Sequence, residues 1–375
     1  MKRVVLVGAG HAHAQVLLEF AQRRVEDIDI DSDIVLVSPL DRAPYSGMVP
    51  GWLAGHYAWN ECCLDFAHLC RRAGARLRID TATGIDTDRS ELILAGGERI
   101  GYDWLSLNVG STLVPPASEH PRVLPMRPLA ALHARWDALL DAVSRLADGA
   151  CYRVVMIGGG PAGVESVLAA HRRLTQAAPR VRFRLTLATV GDDFLQGLAR
   201  STARLLRTQL ARHDITIVNG YRAEQLQADR VVGADGRELP ADAVLWATGA
   251  EAYDWLATTA LALDAHGFVR IDANLRSLSH PNIFAVGDCA RWKDPLPKSG
   301  VFAVRMGPVL AHNLDAAIHD RPLKAYRPQR RTLVLIGSGD AHAVAAWGPL
   351  GWQGEWVWQW KQRIDRAFVA RYNAS

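Results

Sequence analysis

The chain has 375 residues, 49% of them hydrophobic and 22% charged, the composition of a globular protein able to bury a sizeable core. At about 150 residues per domain, that length predicts two or three domains. Forty-three Lys and Arg against 39 Asp and Glu leave a formal charge of +4. This excludes disorder, collagen-like repeats and a disulfide scaffold, and is too small an excess for a dedicated nucleic-acid binder.

The charge is unevenly placed. Residues 321–375 hold nine Lys/Arg against three Asp/Glu, a local +6, and the first 320 residues come to −2. Five of the 12 Trp also lie between Trp347 and Trp360. The five cysteines (Cys62, Cys63, Cys70, Cys151, Cys289) lack metal-site spacing, so no metal is expected. Met1-Lys2-Arg3 runs straight into an apolar strand, and no run of 18 apolar residues occurs. Neither a signal peptide nor a membrane-spanning helix is expected, and the reading is cytoplasmic.

In chain order, Val4–Val7 reads as a strand, Gly8-Ala9-Gly10 as a glycine turn and His11–Arg24 as a helix. Ile34–Val37 is a second apolar strand. Asn60 is expected to cap a helix through Arg72, ended by Gly74. Arg76–Ile79 and Glu91–Leu94 read as short strands around a turn. Another strand, Tyr102–Leu107, runs into Asn108-Val109-Gly110-Ser111. A Pro-rich link and an amphipathic helix over about 129–147 follow, and then the pattern restarts. Tyr152–Ile157 is a strand, Gly158 to Gly163 a glycine turn, Val164–Leu174 a helix and Phe183–Leu187 a strand; Val244–Trp246 leads to Ala247-Thr248-Gly249. Two copies of one plan predict an α/β fold with two doubly wound, Rossmann-like dinucleotide-binding domains.

A dinucleotide pyrophosphate needs backbone N–H groups at a helix N-terminus, and glycine lets the chain approach closely. Gly158, Gly160 and Gly163 supply a full GxGxxG; in the first copy Gly8 and Gly10 are present but His13 takes the third place. That glycine normally permits close helix–strand packing, so His13 implies a wider gap or a polar group near the ligand. Neither second strand ends in a ribose-binding acid. Ser38, with Asp41 close behind, stands there in the first copy and Ala188–Val190 in the second, leaving NADH against NADPH open.

Asn282-Ile283-Phe284-Ala285-Val286-Gly287-Asp288, downstream of Ala247-Thr248-Gly249, resembles the flavin signature of two-dinucleotide-domain flavoproteins, the pyridine nucleotide-disulfide oxidoreductase-like superfamily. The resemblance spans nearly the whole chain. Its nearest branch looks like the type II NADH:quinone and sulfide:quinone oxidoreductases. Within it the chain resembles the flavoprotein module fused to some selenide, water dikinases, through Gly10-His11-Ala12-His13, Pro44–Gly51, Lys298–Arg305 and Ile336–Asp340. The resemblance implies FAD held by Gly8, Gly10, Ser38, Gly110, Gly287 and Asp288, with His11, Ala12, Pro39, Arg42, Ala82 and Val301 beside them. It also implies NAD(P)H at Gly158, Gly160 and Gly163. Asp288 would bond the ribitol, as a strand-end carboxylate can. The expected domains are 1–118 and 265–320 for FAD, 119–264 for NAD(P)H, and a basic, Trp-rich C-terminal α+β unit over 321–375.

The CxxxxC of disulfide reductases is missing from Arg42–Gly51, which excludes dithiol relay chemistry, and the helix after the second glycine turn lacks the cysteine of sulfide:quinone enzymes. Cys63, Phe66 and Cys70 share one helical face and read as packing. Glu165 is either a proton-relaying carboxylate near nicotinamide and flavin or a helix-N-terminal acid favoured by the dipole. Lys298 is either a cation near the reduced flavin or a solvated one. Trp352, Trp356, Trp360, Ile364 and Phe368 recur every four residues, with Lys361, Arg363, Arg366 and Arg371 mostly off the stripe. That helix lies on a membrane surface, or packs on the FAD domain or a second subunit. The function expected is transfer of a hydride from NAD(P)H to FAD and of electrons to a quinone-like acceptor. The rivals are sulfide or selenium-species oxidation and a non-enzymatic flavin-bound sensor or docking module.

Overall fold

The computed structural model describes residues 2–25, 32–195 and 197–374. The first strand, Lys2–Val7, is buried along Val4-Val5-Leu6-Val7, each at most 2% exposed. A parallel strand covered by helices on both faces has no polar side to show, which is why these positions form an unbroken apolar run. The strand pairs in parallel with Ser32–Ser38 on one side and Trp104–Leu107 on the other. Arg76–Ile79 and Ile283–Ala285 complete a five-stranded sheet at its two ends. The second sheet repeats the plan, in the spatial order Val123–Pro125, Ala243–Trp246, Cys151–Ile157, Arg182–Ala188, Thr216–Val218, all parallel. Its strands fall in the chain between Trp104–Leu107 and Ile283–Ala285, so the fold is two doubly wound units, one inserted in the other.

Each unit carries a three-stranded antiparallel meander as well, over residues 82–101 in the first and 223–240 in the second. The chain finishes as a small α+β unit. Strands Leu333–Gly337, Ala343–Trp347 and Leu350–Gly354 form an antiparallel sheet, and helix Glu355–Asn373 follows. That helix buries Val357, Trp358, Lys361, Asp365, Val369 and Tyr372, and Tyr372 Oη donates to Gln15 Oε1 at 2.8 Å on the first helix.

Four local expectations are corrected. The helix expected from Asn60 starts at Phe66, capped by Asp65, whose carboxylate accepts from the His68 N–H at 2.7 Å; Gly74 closes it at φ +65° as expected. Asn60 instead lies in a separate short turn, Trp59–Cys62, and Asp65 also pairs with Arg42. Cys63 accordingly lies on a short strand, not a helix face, although it is buried with Cys62 and Cys70 as free thiols. Arg76–Ile79 and Glu91–Leu94 are short strands as expected, but they do not face each other around a turn; the former joins the parallel sheet and the latter the meander. In the tail, Trp352 is on a strand, Trp356 and Ile364 are exposed, and the buried face is the one bearing Lys361.

Asn108, just past Trp104–Leu107, joins the sheet to its helices. Its Oδ1 accepts from the N–H groups of Ala12 (3.1 Å) and His13 (3.4 Å), and its Nδ2 donates to Val286 O at 3.1 Å. Replacing it with Leu strands these buried groups, and an Asn108→Leu chain is expected to lose about 2–4 kcal/mol in urea unfolding. Unchanged stability would refute this role.

Candidate functional site

The first glycine turn is shaped by Asn108. Gly8 has φ +95°, and a Cβ there would lie 2.6 Å from Asn108 O; a Cβ on Gly10 would run into the Asn108 carboxamide. Gly287, at φ +70°, would set a Cβ 2.7 Å from Asn108 Nδ2. Gly8, Gly10, Ala12 and Gly287 are thus brought together at the C-terminal ends of three parallel strands, where α/β sheets bind ligands. Gly110 has φ +75° and nothing within 4 Å of its missing Cβ, so the space on its Cβ side is open.

His11 opens the first helix. Its Nε2 is buried without a partner, and burial, opposed by the charge of Asp288, lowers its pKa to about 4. Its ring meets Tyr45 edge-on at 5.4 Å and Phe368 at 6.0 Å, and Tyr45 stacks on Phe368 at 4.2 Å. Helix Gly300–Ile318 starts beside it, a Cβ on Gly300 falling 2.8 Å from Ser46 Oγ and 3.6 Å from the His11 ring, with Val301 exposed at that end. His13 does not reach toward a ligand. Its ring is fully buried, with Nδ1 at 2.7 Å from Gly8 O and Nε2 at 2.9 Å from Ser106 Oγ, so it closes the helix–strand gap that a third glycine would have narrowed.

Asp288 lies in the short turn after Ile283–Ala285. Its Oδ2 accepts from Arg127 Nη1 at 2.7 Å and Ser111 Oγ at 3.2 Å. Lys298 is not freely solvated: its ammonium donates to Ala290 O at 2.7 Å and lies 3.6 Å from the Phe268 ring centre. Burial lowers its pKa, against the charges of Cys289 and Asp288. At the rim, Ser38 is buried with its Oγ bonded to Leu40 N and O, which leaves it little to offer a ribose. Pro39 is exposed, Arg42 is exposed in its ion pair with Asp65, and Ala82 is buried at the start of the meander.

The second glycine turn is shaped by sterics alone. A Cβ on Gly158 (φ +121°) would strike Ala247 O, and one on Gly163 would strike Gly158 O, whereas Gly160 has nothing within 4 Å. Glu165, in the helix that follows, is 13% exposed and faces the C-terminal unit. Its Oε1 accepts from the Gly337 N–H at 2.8 Å and stands 3.9 Å from Lys361 Nζ. Lys361 donates to Asp365 Oδ2 at 2.9 Å and Gly47 O at 2.6 Å. Burial raises the Glu165 pKa to about 7 despite Lys361 and the Gly337 N–H. Burial opposes the Lys361 charge, but Glu165 and Asp365 outweigh it and its pKa is raised. The Asp365 pKa is raised by burial against the pull of Lys361.

The family model for pyridine nucleotide-disulphide oxidoreductases matches residues 2–312. The chain belongs to that family. It is an FAD-dependent NAD(P)H oxidoreductase. It is 28% identical over 379 residues to the alternative NAD(P)H-ubiquinone oxidoreductase C1 of Arabidopsis thaliana, covering 90% of this chain and 72% of the relative. To the demethylphylloquinone reductase of Synechocystis it is 24% identical over 355 residues, 90% of this chain and 85% of that one. Its fold matches the sulfide:quinone oxidoreductase of Aquifex aeolicus with a TM-score of 0.81 at 18% identity, over 99% of this chain and 91% of that one.

Several residues of this pyridine nucleotide-disulphide oxidoreductase escape a reading of its sequence. Asn108 stands in the quoted Asn-Val-Gly-Ser run, where only its place after a buried strand hints at a role. Arg127 lies in the Pro-rich link, with no local signal. Lys361 and Asp365 are an i, i+4 pair, but a solvated helix face shows the same spacing.

For an acid whose folded pKa is raised, stability is present below the unfolded value and is lost as pH rises through the folded one. Glutamine mimics the protonated carboxyl. The stability of Glu165→Gln relative to the parent should therefore improve from pH 6 to pH 8, measured by urea unfolding, and a pH-independent difference would show that Glu165 does not titrate there.

Proposed function

We propose that this enzyme passes a hydride from NAD(P)H to FAD and electrons on to a small quinone-like acceptor. FAD supplies the redox chemistry, and the protein's part is to bind, orient and manage protons. The flavin would be held by residues 1–118 and 265–320. Gly8, Gly10, His11, Ala12, Gly110, Gly287, Asp288 and Val301 would form the main cradle, with Ser38, Pro39, Arg42 and Ala82 at its rim. Three features fit it: open space over Gly110, the unpartnered His11 Nε2, and an Asp288 oxygen without a protein partner among the described residues. NAD(P)H would bind residues 119–264 at Gly158, Gly160 and Gly163.

The observation that carries the acceptor is the buried Glu165–Lys361–Asp365 set beside Tyr45 and Phe368. Quinone reduction consumes protons, and a carboxyl with a pKa of about 7 can hold and release one near neutrality. Relatives named for ubiquinone and demethylphylloquinone support the same acceptor class. Lys298 would place a cation against the Asp288 side of the site. Sulfur or selenium chemistry is disfavoured by the thiols. Burial pushes Cys62 and Cys70 up to about 12 and Cys63 to about 11, and raises Cys289, whereas a nucleophilic cysteine needs a lowered value. Exposed Cys151 begins its strand, at the end of the sheet opposite the glycine turns.

The exposed Trp356 and Ile364 share the last helix with exposed Arg363, Arg366 and Arg371, and Trp347 and Leu350 are exposed on the preceding strands; these support peripheral attachment to an anionic membrane surface, where a quinone would be met. No helix among the described residues is long and apolar enough to cross a membrane.

Anaerobic mixing with NADH or NADPH is expected to bleach the flavin within the mixing experiment, and a short-chain quinone to restore its colour. Absence of bleaching would sink the donor reading, and indifference to the quinone the acceptor. Trp356→Ala combined with Ile364→Ser should reduce flotation with anionic liposomes several-fold; equal flotation would remove the membrane claim.

A further inference from the structure

We propose that Arg127 is the residue that positions Asp288 for FAD and thereby couples flavin binding to the arrangement of the inserted unit. The proposal rests on the reading of Asp288 as the ribitol acceptor. Arg127 follows Val123–Pro125, the edge strand of the second sheet, where the chain has just crossed from the first unit. From there it reaches a residue 161 positions further along the sequence, Asp288. Its Nη1 donates to Asp288 Oδ2 at 2.7 Å and also to Ser111 Oγ, while Ser111 Oγ donates to the same carboxylate oxygen at 3.2 Å.

Two donors on one oxygen fix the plane of a carboxylate that would otherwise rotate at the strand end, and charge-assisted bonds are the strong ones. Asp288 Oδ1 then has no protein partner among the described residues and is left to accept from a hydroxyl. The second crossing between the units meets the first at this point. Thr112, next to Ser111, forms a two-way backbone pair with Glu251, the N–H of each donating to the other's carbonyl at 2.9 and 3.0 Å. Asp288, the outgoing crossing and the returning crossing are therefore one hydrogen-bonded assembly. An interaction that sets Asp288 and also pins the crossings makes cofactor affinity and unit arrangement reciprocally dependent.

The test uses the full chain, stripped of flavin and titrated with FAD, with hydrogen exchange followed over residues 112–128. Arg127→Gln should weaken FAD binding at least about tenfold, as expected for a lost charge-assisted bond, and Arg127→Lys should recover part of it. FAD should slow exchange over 112–128 in the parent and do so less in Arg127→Gln. Asp288→Ala, which removes the acceptor, is the control. If it leaves FAD affinity unchanged, the ribitol assignment fails and the proposal with it. If it weakens FAD while Arg127→Gln binds FAD like the parent, the positioning role alone is overturned, even where the melting temperature has dropped. Should the glutamine variant not fold, Arg127→Lys and Ser111→Ala are read in its place, and unchanged affinity in both overturns the proposal.

Discussion

Asn108 stands where three chain segments converge, and its carboxamide answers a demand that no other side chain there can meet. The first helix begins with N–H groups that have no intrahelical acceptor, and Val286 presents a carbonyl from the neighbouring strand. One side-chain oxygen and one side-chain nitrogen satisfy both. Because the carboxamide fills the space between the strand ends, Gly10 and Gly287 must each lack a Cβ, while at Gly8 the Asn108 backbone carbonyl imposes the same. Gly10 and Gly287 are therefore consequences of the asparagine side chain as much as of any ligand, and the cradle is shaped before a cofactor enters it.

The second unit reaches the same outline without such a residue. Gly158 and Gly163 pack directly against each other and against Ala247, so backbone sterics alone hold the turn. The third position shows the trade. In the second unit Gly163 keeps helix and strand in contact. In the first, His13 spans a wider gap by bonding Gly8 and Ser106. A neutral imidazole suits that place, since one ring nitrogen can donate to the carbonyl while the other accepts from the hydroxyl, and burial keeps its pKa near 4.

What the sequence made legible is what local pattern encodes. Unbroken apolar runs ended by glycine identified both sheets, and Gly-Asp after Ile283–Ala285 marked the flavin class and with it the insertion of one unit in the other. What it hid depends on partners far away. Asp65 caps a helix expected from Asn60 and is itself paired with Arg42, 23 positions earlier. Arg76–Ile79 leaves its sequence neighbours because a parallel edge at Ser32–Ser38 is free to take it. Lys361 reaches Gly47 across 314 positions, and nothing within its own helix distinguishes it from the solvated Arg363.

The basic tail becomes intelligible once that lysine is set apart. Aromatic residues every four positions suggest one amphipathic surface, yet the helix has two working faces. Lys361, Asp365 and Tyr372 form the inner one, held by bonds to Gly47 and Gln15. The helix end is tied down as well, Asn373 bonding Asp65 N and Cys63 O, and Arg72 bonding Ala374 O. Taking a lysine out of water is costly, and the cost is offset only where carboxylates face it; Glu165 and Asp365 do so from two different units. The inner face thus fixes the helix as a wall of the candidate acceptor site, and this frees the outer face to keep Trp356, Ile364 and the arginines exposed. A helix anchored this firmly presents its aromatic side in one orientation, so any surface that side meets is brought to a set position relative to Tyr45, Phe368 and Glu165.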